Sequence, residues 1–123
     1  MKPNIIRGKR ILMVDDEPSV RSTFRMLLEF DGHAVTEAND GAEALELFAP
    51  GQFDLVTTDF EMPVMKGNEL AVRIKLLAPG QPILMITASE RAFCDSTNPV
   101  DSILNKPFAL DHLRGAIAKL LSN

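Results

Sequence analysis

The chain has 123 residues, 46% hydrophobic and 24% charged, with a formal net charge of −4. That suits one domain around one core. Its lysines and arginines form no run resembling a nucleic-acid footprint, no apolar stretch approaches the ~20 residues that span a bilayer, and the single cysteine, Cys94, excludes an internal disulfide.

In chain order, Met1 to Arg10 lacks the apolar middle of a signal peptide. With one cysteine, this fits a reducing cytosol, so a cytoplasmic protein is expected. Ile11–Val14 reads as a buried strand ending in Asp15-Asp16. From Pro18 to Phe30, Val20, Phe24, Leu27 and Leu28 share one face of a helix. Pro18 suits its first turn and Asp31-Gly32 its stop. A second strand is expected over Ala34–Ala38 and a helix over Gly41–Phe48, closed by Pro50-Gly51.

The third strand, Asp54–Thr58, ends at Asp59. After a loop through Met62, Pro63 and Gly67, Leu70, Ile74 and Leu77 mark a helix face that stops at Pro79-Gly80. Ile83–Thr87 and Ser102–Asn105 are the fourth and fifth strands. A final helix, Leu110–Leu121, aligns Leu110, Leu113, Ile117 and Leu120. Ser89–Val100 has little helical period, so a short or irregular fourth helix is expected. This alternation argues for an α/β fold, a parallel sheet with helices on both faces. Near-continuous apolar strands fit burial on both sides. The chain shows no internal repeat, linker or low-complexity tract.

In such a sheet, sites form beyond the carboxyl ends of the strands. Those ends carry Asp15, Asp16, Asp59, Thr87 and Lys106. Each has an ordinary explanation alone: an acid after a strand makes a turn or caps a helix, and threonine favours strands. Together they describe an anionic pocket. Carboxylates gathered that closely repel, so the cluster either raises a pKa or recruits a cation.

The motifs Val14-Asp15-Asp16-Glu17-Pro18, Thr58-Asp59-Phe60-Glu61-Met62-Pro63, Ile86-Thr87-Ala88 and Asn105-Lys106-Pro107-Phe108 resemble those of bacterial two-component response-regulator receiver domains, the CheY-like family. The likeness runs from about Lys9 to Leu121. It implies a flavodoxin-like (βα)5 doubly wound fold with strand order 2-1-3-4-5, one receiver domain over residues 1–123, and an N-terminal extension over 1–8. It implies that Asp59 is the phosphoacceptor for a sensor histidine kinase or histidine phosphotransfer protein. It further implies Mg²⁺ on Asp16 and Asp59, with Asp15 reached through water and the Glu61 backbone carbonyl as another ligand. Lys106 and Thr87 would hold phosphate oxygens, and a cis bond before Pro107 would aim the lysine inward. No turnover of an external substrate is implied, nor contact with nucleic acid or membrane.

Some positions depart from the family. Ile103 stands where Tyr or Phe is common, three residues before the lysine, so no large ring is available there to swing. The stretch from Thr87 to Lys106 is shorter than usual, and Pro99-Val100 replaces the common Gly-Ala pair. Glu61 adds an acid two residues past Asp59. His33 and His112 are too far apart for a zinc motif and read as ordinary residues. The methionines read as core filler, with Met62 and Met65 edging the site loop. Two other readings compete with the phosphorylated receiver. One is a binding module that keeps the fold but not the phosphorylation; the other is a Mg²⁺-dependent phosphatase, which lacks an evident lid or proton donor.

Overall fold

The computed structural model describes residues 5–94 and 97–122. Among the described residues, five strands alternate with five helices: β1 (Arg10–Val14), α1 (Pro18–Phe30), β2 (Ala34–Ala38), α2 (Gly41–Leu47), β3 (Leu55–Thr58), α3 (Gly67–Leu77), β4 (Ile83–Thr87), α4 (Arg91–Cys94), β5 (Ser102–Asn105) and α5 (Leu110–Leu121). All strand pairs are parallel and the order is β2-β1-β3-β4-β5. This is the doubly wound, flavodoxin-like architecture expected. Among the described residues, no helix is long and apolar enough to cross a membrane.

The period of two along each strand sorts the core into two layers. Leu12, Val14 and Val56 point to one face and meet Ala44 and Phe48 from the α2 region and Leu70, Ala71 and Ile74 of α3. Ile11, Met13, Leu55, Leu84 and Ile86 point to the other, against Phe24 and Leu28 of α1 and Leu113 and Ile117 of α5. Both faces are covered, so Ile11 to Val14 are buried without a break. Each such side chain contributes about 1.5–3 kcal/mol, which anchors the strand ends that carry charge.

Ion pairs fasten the opposite end of the sheet, where the strands begin. Arg10 donates its backbone N–H and its guanidinium to Asp54. Arg114 of α5 grips Asp31, at the end of α1, through two 2.9 Å hydrogen bonds that hold this acid below the ordinary carboxylate range although burial opposes the shift. Lys75 ties α3 to Asp101, whose carboxylate also accepts the N–H of Ile83.

Several expectations change. Helix α2 stops at Leu47, with Phe48 as its extended cap. Leu77 is 55% exposed rather than aligned with Leu70 and Ile74; the next residue, Ala78, packs against that core layer instead. Met26 is 64% exposed on α1, so not every methionine fills the core, whereas Met62 and Met65 are buried in it. The irregular stretch after β4 holds a single helical turn, α4; residues 95 and 96 lie outside the described residues. So do residues 1–4 of the expected N-terminal extension, while Ile6 packs against the α1–α5 layer.

His33 is buried, and its Nδ1 accepts the N–H of Lys9. Burial pushes its pKa below 6.5; Asp31 opposes this shift, while Lys9 and Arg7 reinforce it. A base with a lowered folded pKa binds fewer protons folded than unfolded in the window just below 6.5. Stability therefore rises with pH across that window and falls on acidification, by at most about 1.4 kcal/mol per pH unit. Urea unfolding between pH 5 and 7 should show this slope, and His33→Gln should remove it; an unchanged slope in the variant would contradict the assignment.

Candidate functional site

The site is built where the strands end. Because β1 and β3 are neighbours with Val14 opposite Thr58, the next residues, Asp15 and Asp59, emerge side by side. The ladder continues through them: Asp59 N–H reaches Val14 O at 3.4 Å, and Asp15 N–H reaches Ala38 O at 3.2 Å. Thr87 ends β4 opposite Asn105, which ends β5, and Lys106 N–H donates to Thr87 O at 2.9 Å. The order reverses between β1 and β3, the point at which open α/β sheets leave a crevice.

Into that crevice Lys106 extends its ammonium, 3.0 Å from Asp59 Oδ2 and 3.4 Å from Asp15 Oδ2. Burial alone would pull its pKa down. The hydrogen bond and charge of Asp59, then those of Asp15, outweigh burial and leave it above the ordinary 10.5. The second oxygens are also used: Asp59 Oδ1 accepts Phe60 N–H at 2.6 Å, and Asp15 Oδ1 accepts Glu17 N–H at 3.0 Å. Asp15 thus also serves as the turn former that its position after a strand suggests. Asp16 is partly exposed and makes no ion pair among the described residues. Thr87 is buried, and its Oγ1 accepts Ser89 N–H at 3.1 Å, which leaves its own O–H free to donate. The Lys106–Pro107 peptide is cis, as the resemblance implied.

Asp15, Asp59, Lys106 and Thr87 thus occupy successive strand ends, with Asp16 next to Asp15. They do not form a ready cage: among the described residues, no three His, Cys, Asp or Glu side chains are grouped to hold a metal ion. Lys106 is the counter-charge here. The Glu61 carboxylate turns instead to Lys66, at 2.9 Å.

The loop from Asp59 to Gly67 is closed by Gly67 N–H on Phe60 O at 2.9 Å. A Cβ on Gly67 would stand 1.9 Å from Asp59 O, so only glycine lets α3 start this close. Within the loop Val64 has φ of 73°, costly for a β-branched residue and unannounced by the sequence. Sequence reasoning also missed the backbone N–H of Phe60, since a main-chain donor carries no residue signature. Beside Lys106 lies an open hollow of about 590 Å³, lined mainly by Val20, Phe24, Leu27, Ala88, Pro107 and Phe108.

Residues 11–118 match the family model of the response regulator receiver domain. The chain belongs to this family. It is 42% identical over 117 residues to the response regulator MprA of Mycobacterium leprae, an alignment covering 91% of this chain and 50% of that protein. The receiver chain therefore spans about half the length of the curated relatives it matches. Among solved structures, it resembles the response regulator TrrA of Thermotoga maritima in complex with Mg²⁺-BeF, with a TM-score of 0.87 and 37% identity, covering 92% of this chain and 99% of that one. A receiver domain from Methanospirillum hungatei superposes with a TM-score of 0.84 and 32% identity over 93% of this chain and 94% of its own.

Two outcomes follow from this geometry. Lys106→Met leaves two carboxylates facing each other without a cation and should cost about 1–3 kcal/mol at pH 7, less than a fully buried pair. In an Asp59→Asn background the same change should cost at least about 0.5 kcal/mol less; additive effects in urea unfolding would contradict the pairing. Gly67→Ala should destabilise by about 1–3 kcal/mol through overpacking against Asp59 O, and an unaffected unfolding midpoint would contradict that close approach.

Proposed function

We propose that this receiver domain takes a phosphoryl group onto Asp59 from a histidine of a sensor kinase or histidine phosphotransfer protein, in a cytoplasmic two-component pathway. The observation that carries this reading is the Lys106 ammonium held between Asp59 and Asp15, with Thr87 at the end of the neighbouring strand. A solved complex of TrrA with the histidine kinase ThkA, with TrrA 37% identical to this chain, supports the choice of donor. The hollow beside Lys106 offers a protein partner an apolar seat next to the acceptor.

The donor chemistry fits Mg²⁺. Asp15, Asp16 and Asp59 offer hard carboxylate oxygens, Asp16 carries no competing ion pair among the described residues, and Mg²⁺ keeps several waters so that one or two carboxylates suffice. Asp16 and Asp59 would hold the ion directly, Asp15 through water, with the Glu61 carbonyl as a further oxygen. When bound, it supplies positive charge that offsets repulsion between the carboxylates and the incoming phosphoryl oxygens.

The chain's own residues do the rest. Asp59 attacks phosphorus through a carboxylate oxygen; the new O–P bond forms as the P–N bond to the donor imidazole breaks, and the imidazole leaves with the electron pair. Lys106 gives up Asp15 and pairs with a phosphoryl oxygen as a mobile point charge. Thr87 donates its O–H to another. The product then biases one of two conformations of the receiver. No external substrate is turned over.

Ile103 favours a second reading. It packs against the cluster of Phe60, Met85 and Ala92, where the family often has a ring, so a binding module that persists without phosphorylation is the alternative. Incubation with acetyl phosphate and Mg²⁺, followed by intact mass, separates the two. The wild type should gain one phosphoryl group, Asp59→Asn none, and Lys106→Met and Thr87→Ala should react at least about tenfold more slowly, as loss of a charge-assisted contact implies. No labelling of the wild type would favour the idle module.

A further inference from the structure

Helix α3 starts against the usual rules. Its N-cap is Lys66, which makes no side-chain cap hydrogen bond. Ser, Thr, Asp and Asn are preferred there because their oxygens accept an orphan N–H, and a cation opposes the positive end of the helix dipole. Helix α2 follows the rule: Asp40 accepts Glu43 N–H at 2.7 Å. Helix stability therefore does not account for Lys66, and its contacts point elsewhere. Its ammonium lies 2.9 Å from Glu61 Oε2 and 5.6 Å above the ring of Phe60, the residue whose N–H is hydrogen-bonded to Asp59. Both members of the pair are about half exposed, 50% and 45%. The bond is therefore weak and salt-sensitive.

We infer that Lys66 is a positioning residue that holds and neutralises the Glu61 carboxylate two residues beyond Asp59, so that one exposed ion pair balances the site's cation affinity against its acceptance of anionic phosphodonors. The inference rests on the Mg²⁺-assisted phosphorylation of Asp59 proposed above. With the pair intact, Glu61 and Lys66 together add no net charge to the loop. An unpaired Glu61 would add a fourth negative charge on the loop that carries Asp59. It would draw Mg²⁺ in and push a phosphodonor away. A free Lys66 would do the reverse. The two effects have opposite signs, and a general loosening of the loop would not produce that pattern.

The test measures Mg²⁺ affinity by calorimetry and, at saturating Mg²⁺, the rate of labelling by acetyl phosphate, both at low ionic strength. Lys66→Met keeps an unbranched side chain of similar length and removes the charge. It should bind Mg²⁺ about two- to five-fold more tightly and label more slowly by a similar factor, the size of an exposed charge interaction. Glu61→Gln should bind Mg²⁺ more weakly and label faster; it also keeps the test decisive if the lysine variant fails to fold. Lys66→Arg should restore the wild-type values, and the double variant Glu61→Gln/Lys66→Met should fall between the two single variants in both quantities. All differences should collapse near 1 M salt, where the screening length is about 3 Å. Unchanged constants in variants of a wild type that does bind Mg²⁺ and label would overturn the role of Lys66 alone. So would both quantities moving in the same direction, or effects that survive high salt. A wild type that neither binds Mg²⁺ nor labels would overturn the proposed function, and this inference with it.

Discussion

One ammonium answers two carboxylates across the end of a parallel sheet, and the functional end of the molecule is arranged around that contact. Lys106 lies 47 positions from Asp59 and 91 from Asp15, so only the folded topology brings them together. Parallel strands all finish on one side, and the β2-β1-β3-β4-β5 order places β1 beside β3. An antiparallel neighbour would have sent one of the two acids to the far end. The apolar strands bear the cost: burial of Ile11 to Val14 on both faces fixes the frame from which Asp15 projects.

The two ends of the sheet differ in a way that separates stability from function. Where strands begin, acid and base come in matched pairs: Arg10 with Asp54, Arg114 with Asp31, Lys75 with Asp101. Where strands finish, Asp15 and Asp59 share the ammonium of Lys106, and Asp16 beside them makes no ion pair among the described residues. A surplus of negative charge held in a crevice is a local conflict, and natural chains keep such conflicts at functional sites. The glycine at position 67 belongs to the same end. It lets α3 begin against the backbone of Asp59, so that this residue sits on a short, closed loop.

Much of this was legible in the sequence. The strand cores are uninterrupted apolar runs, and the charged residues at their ends announced a pocket by their type and position. What stayed hidden depended on three-dimensional edges. Leu77 keeps the helical period of Leu70 and Ile74, but Ala78, one residue on, takes the place against the core. The partners of Arg114 and Arg10 could not be read because exposed-looking charges carry no mark of their mates. Lys106 was readable as facing acids, yet its division between Asp59 and Asp15 required register. The Glu61–Lys66 pair spans five positions across a turn whose path depends on a positive φ at Val64, and nothing in a valine signals that.

The most direct test of the central claim is a crystal structure of this chain with Mg²⁺ and beryllofluoride. It should show the ion on Asp16 and Asp59, beryllofluoride on Asp59, and Lys106 moved off Asp15 onto a fluoride with the Thr87 hydroxyl on another. Beryllofluoride bound elsewhere, or Lys106 still bridging Asp15 and Asp59 with the ligand present, would contradict it.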